Sequence, residues 1–328
     1  MRIIRFIFTL LHLVVFFALS AMLLNSMVSP KVFKWLNFLS LAFPILITVY
    51  VMLTIIWILN FKKRAIVFLL GLLMFFNPIR RWINYNDNSH QKGNLKVITY
   101  NVHSAPRIPA LKAFLESENP DIIFLQEKAV NSKNKLELSA FKYIVESTIV
   151  EIYSKFPVKN SGELVKDKNN GHALFADIDI NGTTIRFINI YLEPFYLHKE
   201  MLLPTRDQKV NEEKAKKLEA RLAESFRLHE DQIADILPAI KNSPYPIILG
   251  GDFNSVPNSY EYYHLGENLI DAFMEVGSGS GTSFHDYKMP IRIDYLFSSP
   301  SIKATHYRVK RDIEISDHFP VISHFKIK

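Results

Sequence analysis

Hydrophobic and polar positions follow two rhythms along this chain, and the change falls near residue 84. Before it lie three long apolar runs. Residues 3–28 (IIRFIFTLLHLVVFFALSAMLLNSMV) are apolar apart from Arg5, His12 and a few small polar side chains. Residues 36–59 (LNFLSLAFPILITVYVMLTIIWIL) carry no charge, and residues 65–79 (AIVFLLGLLMFFNPI) form a shorter run flanked by Lys62, Lys63, Arg64 and by Arg80, Arg81. A bilayer core is spanned by about 20 mostly apolar helical residues. The first two runs reach that length, and the third does so if it extends to Trp82, whose ring suits an interface. A cleaved signal peptide explains one run. Three in so short a stretch are hard to bury in a soluble domain. Residues 1–83 are therefore expected to form a membrane anchor of about three transmembrane helices.

A polar linker follows at 84–94 (NYNDNSHQKGN), and then the rhythm shortens. Strands are predicted at 95–100, 121–126, 173–180, 184–191, 246–250, 292–297 and 320–326. Helices are predicted at 108–118 and 206–240. In the second, Leu218, Leu222, Phe226, Ile233, Leu237 and Ile240 recur close to helical spacing, and the charged face belongs to solvent. Short strands with helices between them predict packed β layers with helices outside. No internal repeat is visible. Residues 95–328 are numerous enough to bury one substantial core.

Composition changes this picture in two ways. The 328 residues include no cysteine, which excludes disulfides, thiolate metal sites and cysteine nucleophiles. The net charge of +7 invites a reading as a nucleic-acid or anionic-surface binder. Its distribution argues otherwise, because ten of the 39 lysines and arginines lie in 1–94 against the single acid Asp87. The 29 basic and 31 acidic residues that remain leave 95–328 near −2. With three spans, Arg2, Arg5, Lys62, Lys63 and Arg64 fall on one side and Lys31, Lys34, Arg80 and Arg81 on the other. The excess leans toward a cytoplasmic N-terminus and an extracytoplasmic C-terminal region. No acid lies within the spans, which favours an anchor over a transport unit.

Polar residues recur at the ends of the predicted strands. Asn101 follows VITY, Glu127 follows IIFLQ, Tyr191 ends FINIY, Asp252 and Asn254 follow IILGG, Asp294 lies in RIDYLF, and Asp317 and His318 precede FPVISHF. Each alone is an ordinary strand end. Together they are four carboxylates, two amides, a phenol and an imidazole. Oxygen donors without thiolates suit Mg²⁺, Mn²⁺ or Ca²⁺. Neighbouring strand residues point opposite ways, so His318 is expected to pair with a carboxylate from another strand, with Asp294 the candidate. The GSGSG at 277–281 lacks the Gly-Lys-Ser/Thr of a phosphate loop and reads as a flexible loop. His103, His172 and His285 lie near these motifs, with surface or structural roles favoured. Arg292 and Lys288 fit either a phosphate contact or paired surface charge.

The order YN, LQE, GDFN, RIDYLF, SDHFP resembles the endonuclease/exonuclease/phosphatase superfamily, across roughly 95–328. The resemblance implies an α+β fold, a four-layer sandwich of two packed mixed β-sheets with outer helices. It also implies roles. Asn101, Glu127 and Asp317 would hold a catalytic divalent metal, Mg²⁺ or Mn²⁺. Asp252 and Asn254 would position the attacking water and phosphate oxygens. His318, oriented by Asp294, would contact the scissile phosphate or activate the water. A Gly-Gly hinge would let Asp252 and Asn254, at i and i+2, face one phosphate. Tyr191 stands where many members have a histidine, which argues against a two-histidine mechanism. The implied activity is that of a membrane-anchored, metal-dependent phosphoesterase. Its substrate would be a lipid head group, nucleic acid or small phosphodiester. A catalytic region near −2 speaks against tight DNA binding. A DNA endonuclease remains an alternative, as does a non-catalytic membrane scaffold that kept the fold, although the complete residue set disfavours the latter.

Overall fold

Successive side chains of an extended strand leave the backbone on opposite faces, and in this protein both faces of the central strands are covered. Within Leu95–Asn101, Leu95 and Val97 pack with Phe124, Phe187, Ile248 and Leu296. Ile98 and Tyr100 of the same strand pack on the other side with Leu111, Phe114 and Ile123. Burial on both faces is why such segments read as nearly continuous apolar runs.

The computed structural model describes residues 2–60, 62–86, 93–104, 107–128, 136–165, 169–197, 199–286 and 290–327. Lys288 and residues 87–92 of the linker lie outside them. The N-terminal helices are α1 (Arg2–Met22), α2 (Pro30–Phe33), α3 (Trp35–Leu59), α4 (Arg64–Leu72) and α5 (Phe76–Arg80). There follow β1 (Ile83–Asn84), β2 (Leu95–Asn101), α6 (Ile108–Glu118), β3 (Ile122–Gln126), β4 (Tyr143–Glu146), β5 (Val150–Ser154), β6 (Val158–Glu163), β7 (His172–Ile180) and β8 (Thr183–Tyr191). The C-terminal part holds α7 (Lys199–Leu202), α8 (Gln208–Lys241), β9 (Ile247–Asp252), α9 (Tyr260–Leu265), β10 (Ile270–Asp271), α10 (Ala272–Val276), β11 (Gly279–Ser280), β12 (Asp294–Ser298), β13 (Lys303–Val309) and β14 (Val321–Lys326).

Two six-stranded sheets result, with orders β10-β12-β9-β8-β7-β6 and β13-β14-β2-β3-β5-β4. Both are mixed, because β2 pairs with β3 and β8 with β9 in parallel while the other ladders are antiparallel. Helix α8 covers the outer face of the first sheet through Ile233, Ile236 and Ile240. Helix α6 covers the second through Leu111, Phe114 and Leu115. The fold is α+β, a four-layer sandwich, as expected. The sequence missed all four sheet edges, β4, β6, β10 and β13. Edge strands face solvent along one side and carry polar residues that blunt association, so VKNSGE and KATHYRV show no strong apolar alternation. It also missed the interior β5, whose Glu151 disguises the strand. That buried carboxylate accepts from Lys128 Nζ at 2.7 Å and Tyr153 OH at 2.9 Å.

The three apolar runs form helices, but not three equal ones. Arg2–Ser26 and Trp35–Leu59 are long and apolar enough to cross a membrane by length and composition. The third run is broken by a 3₁₀ turn at Leu73–Phe75 and falls short of that test among the described residues. It runs back along α3. Arg64 stacks on Trp57, Tyr50 OH donates to Phe68 O at 2.8 Å, and Trp82 stacks on Phe43. The start of the predicted linker is held rather than loose. Ile83 and Asn84 pair with Ser280 and Gly279, and Asn84 Nδ2 donates to Phe273 O at 2.8 Å. Arg292 turns inward. It is fully buried, forms a bidentate pair with Asp271 at 2.6 and 2.8 Å, and donates to Arg81 O at 3.1 Å. Its guanidinium is therefore committed to the fold and makes no phosphate contact. Breaking a buried pair of this kind by removing one partner costs about 3–5 kcal/mol.

Candidate active site

The strand ends meet at one end of the sandwich. β2, β3, β8, β9 and β12 each finish or begin there with a polar residue, and parallel pairing of β2 with β3 and of β8 with β9 brings like ends together. Asn101, at the end of β2, is fully buried and donates from Nδ2 to Glu127 Oε1 at 2.8 Å and Asp252 Oδ2 at 2.9 Å. Glu127 follows β3 in a left-handed conformation (φ 54°) and also accepts from Tyr191 OH at 2.9 Å. Register places Asp252 beside Tyr191 on one side and opposite Asp294 on the other. His318 Nδ1 lies 2.8 Å from Asp294 Oδ2, and its Nε2 lies 3.8 Å from Asp252 Oδ2. The cross-strand partner expected for His318 is thus the one found. Asp252, Asp294 and His318 present ligand atoms within 4.8 Å of one another.

Asn254 reaches the site by a different route from the one its spacing suggests. β9 ends at Asp252, and Asn254 adopts φ 44°, so strand alternation does not relate the two. Instead Asn254 N donates to Asp252 Oδ1 at 2.8 Å in a tight side-chain turn, and Asn254 Nδ2 donates to Leu192 O at 2.8 Å. Gly251 is required for a separate reason. Its φ is 130°, and a Cβ there would lie 1.9 Å from Ile190 O. Asp317 is partly exposed and accepts from Ser316 Oγ at 3.0 Å, and its carbonyl accepts from His285 N at 3.1 Å.

Electrostatics distinguish the residues. Burial, with Glu127 and Asp252 beside it, pushes the Tyr191 phenol far up, so Tyr191 is a neutral hydroxyl. For His318, burial works against the charged form, but Asp294 and Asp252 overcome it and raise the imidazole to about 10. Asp252 is pushed up to about 7. Burial is the main cause; His318 opposes it and Asp294 adds to it. The imidazolium sits closer to Asp294, which leaves Asp252 as the second carboxylate on one cation. Asp294 Oδ1 is buried without a hydrogen bond, a costly state for an acceptor. Among the described residues, no Lys or Arg pairs with Glu127, Asp252, Asp294 or Asp317.

His103 lies at the surface beside the cluster. Its side chain is 65% exposed, and Nδ1 lies 3.3 Å from Glu127 Oε2 and 3.7 Å from Asp317 Oδ1. The two carboxylates therefore converge on a common point, and YNVH carried the only hint. His285 supports the site from behind, its Nε2 3.1 Å from Ser316 O and its ring stacked on Phe319. His172 is buried opposite Tyr191 in the β7/β8 ladder. A further layer went unread. Gln126 Nε2 donates to Asn189 Oδ1 at 2.6 Å, and Asn189 Nδ2 donates to Leu125 O and Glu151 O. This ties the two sheets together directly beneath the strand ends.

Fold and cluster define a four-layer α+β sandwich protein with an acidic, histidine-bearing site at its strand ends. Residues 98–318, about two thirds of the chain, match the Endonuclease/Exonuclease/phosphatase family, and the chain belongs to that family. Residues 5–82 match a family described as a Domain of unknown function (DUF8431). No curated protein matches. Among solved structures, a humanized D. rerio TDP2 carrying 14 mutations is similar, with a TM-score of 0.54 and 17% identity. That match covers 71% of this chain and 98% of the other. A Bacteroides vulgatus endonuclease/exonuclease/phosphatase superposes with the same TM-score of 0.54 at 16% identity, covering 71% and 99%. A Bacteroides thetaiotaomicron family protein gives 0.51 at 16% identity, covering 73% and 100%. At these identities the likeness concerns the fold.

The raised Asp252 pKa has a stability consequence. Between its ordinary value of 3.8 and about 7, the folded chain holds a proton that the unfolded chain releases. That contribution is complete below 3.8 and is lost as pH rises through 7. In EDTA, the melting-temperature gap between wild type and Asp252→Ala is therefore expected to fall by several degrees from pH 4 to pH 8. A gap that widens over that range in thermal unfolding contradicts the assignment.

Proposed function

We propose that this chain is a membrane-anchored phosphoesterase that cleaves phosphoester bonds with water and depends on a divalent cation, Mg²⁺ or Mn²⁺. The observation that carries the reading is the meeting, at one end of the sandwich, of the His318–Asp294 pair with Asp252 and the Asn101–Glu127–Tyr191 cluster. Four carboxylates gather at these strand ends, and among the described residues histidines alone pair with them as counter-charge, so a hard cation suits the donor set. Glu127 and Asp317, whose oxygens converge near His103 Nδ1, would hold it with Asn101. A cation bound there would neutralise charge on phosphoryl oxygens and lower the pKa of a water.

The protein's own groups divide the remaining work. Asp252, whose carboxyl burial pushes up from its ordinary value, is suited to accept a proton from an attacking water. His318 carries its charge across that range, and Asp294 fixes its Nδ1, so Nε2 is the donor toward a phosphoryl oxygen. Tyr191 keeps its proton and supplies a hydroxyl donor that holds Glu127 in place. Asn254, pinned by Leu192 O, shapes the wall beside Asp252. A lipid head group, a nucleic acid and a small phosphodiester all offer the phosphate this site would take.

Membrane attachment is supported by the outer surface of the helical unit. Ile3, Phe6, Leu10, Val14 and Phe17 form an exposed apolar stripe on α1, continued by Ile45 and Met52 on α3 and by Val67 and Leu70 on α4. Apolar exposure on this scale marks a protein or membrane contact. Arg2, Arg5, Lys62, Lys63 and Arg64 lie at the end away from the sandwich, whereas Lys31 and Lys34 pair with Asp231 and Glu219 of α8. We read the bundle as three passes with the sandwich extracytoplasmic.

Full-length protein in detergent is expected to hydrolyse bis(p-nitrophenyl) phosphate with Mg²⁺, to stop in EDTA and to recover with Mg²⁺ or Mn²⁺. His318→Ala is expected to lower kcat by about 10²–10⁴-fold. Chelator-resistant hydrolysis, or a His318→Ala rate near wild type, contradicts the reading. Because the chain has no cysteine, topology is testable by single-cysteine labelling of intact cells with an impermeant maleimide. Asn160→Cys should label and Lys63→Cys should not, and the reverse pattern overturns the orientation.

A further inference from the structure

The loop that carries Asp252 and Asn254 is held from outside the sandwich. Between β9 and α9 the backbone passes through two left-handed non-glycine residues, Asn254 (φ 44°) and Asn258 (φ 70°). Such conformations persist only where surrounding contacts over-determine them. Here many of those contacts come from the N-terminal helices. Asn258 O accepts from Asn25 Nδ2 at 3.1 Å and from Ser40 Oγ at 2.9 Å. Asn258 Oδ1 accepts from Arg81 Nη1 at 2.7 Å, and Asn258 Nδ2 donates to Pro78 O at 3.3 Å.

Asn37, in the first turn of α3, makes the central contact. Its Nδ2 donates to both oxygens of Glu261, at 3.1 and 3.0 Å, and its Oδ1 accepts from Tyr260 N at 2.8 Å. Asn25, Asn37, Ser40, Asn258 and Glu261 are all buried. Glu261 then reaches both flanks of the site. It accepts from Ser255 Oγ at 2.9 Å, one residue beyond Asn254. It also meets His229 Nδ1 at 2.7 Å, whose Nε2 lies 2.7 Å from Glu193 O, just past Leu192. Burial would raise the Glu261 carboxyl, but the hydrogen bond and charge of His229 outweigh it and hold the group below its ordinary range. A buried ionised carboxylate needs such partners. Amides and a hydroxyl in otherwise apolar helices have no use facing lipid. Turned onto this loop, they satisfy backbone groups that would be costly to leave unpaired.

We propose that the helical unit is part of the catalytic apparatus, with Asn37 as a positioning residue that, assisted by Asn25 and Ser40, fixes the 252–261 loop and thereby Asp252 and Asn254. The proposal rests on the phosphoesterase reading for its kinetic part only. It makes the sandwich alone, residues 95–328, an incomplete enzyme, and it ties turnover to the docking of α3.

The test uses the full chain in lipid nanodiscs. Asn37→Leu keeps the branched outline and the number of side-chain heavy atoms while removing the polar edge, and Ser40→Ala is a milder second variant should the larger leucine prevent folding. Ile45→Ala, on the lipid-facing side of α3, is the control. Asn37→Leu is expected to lower kcat for bis(p-nitrophenyl) phosphate by about 10–100-fold with KM within about threefold, the pattern of a misplaced catalytic group. Amide hydrogen exchange is expected to quicken about tenfold or more across 254–261, with 122–126 unchanged, on the scale of a local opening. Ile45→Ala should change neither. Loop exchange unchanged in Asn37→Leu and Ser40→Ala overturns the proposal, as does a kcat loss that only follows the folded fraction. If wild type hydrolyses nothing, the phosphoesterase reading fails and exchange alone decides: faster exchange confined to the loop sustains the clamp, and unchanged exchange removes it.

Discussion

Two buried carboxylates face each other across one ladder. The antiparallel register of β9 and β12 sets Asp252 opposite Asp294, both almost without solvent. Like charges directly across a ladder repel, and burial adds a desolvation cost to each. The arrangement is tolerable because His318, just before β14 in the other sheet, places a cation between them. That contact closes the two sheets at one end, as Gln126 and Asn189 tie them below it. The result is a region under electrostatic cost, with an unbonded Asp294 oxygen and an Asp252 proton that burial makes hard to lose.

A cation at the acidic rim would relieve what remains. Asn101 is the hinge of this arrangement, since one amide group joins Glu127, from the rim, to Asp252, from the interior. The neutral Tyr191 phenol acts in the same sense, holding Glu127 without competing for positive charge.

How far the sequence reached follows from what local patterns encode. The central strands were readable because both their faces are buried, and the motif order drew attention to Asn101, Glu127, Tyr191, Asp252, Asp294 and His318, which the fold brings together, but not to Gln126 and Asn189 beneath them. Edges β4, β6, β10 and β13 were not, because one side of each is wet. Arg292 fitted a phosphate contact and paired surface charge equally well; it is paired, but in the interior, and among the described residues its partner acid is Asp271, brought there by tertiary contact rather than sequence proximity. His103 lay two residues past Asn101 and appeared ordinary. Asn25, Asn37 and Ser40 were visible as polar residues within apolar runs, but their partners are more than 200 positions away. The conformation of Asn254 was not readable either, since strand alternation stops at Asp252.

In the proposed reading, Glu127 and Asp317 hold a hard divalent cation together with Asn101. Calorimetric titration of Mn²⁺ into the full-length, metal-stripped protein tests this most directly, with Glu127→Gln beside wild type. Wild type is expected to show a saturable site that is lost or weakened by at least about tenfold in Glu127→Gln, because a ligand charge is removed. Identical isotherms for the two proteins, or no saturable binding in wild type, would contradict it.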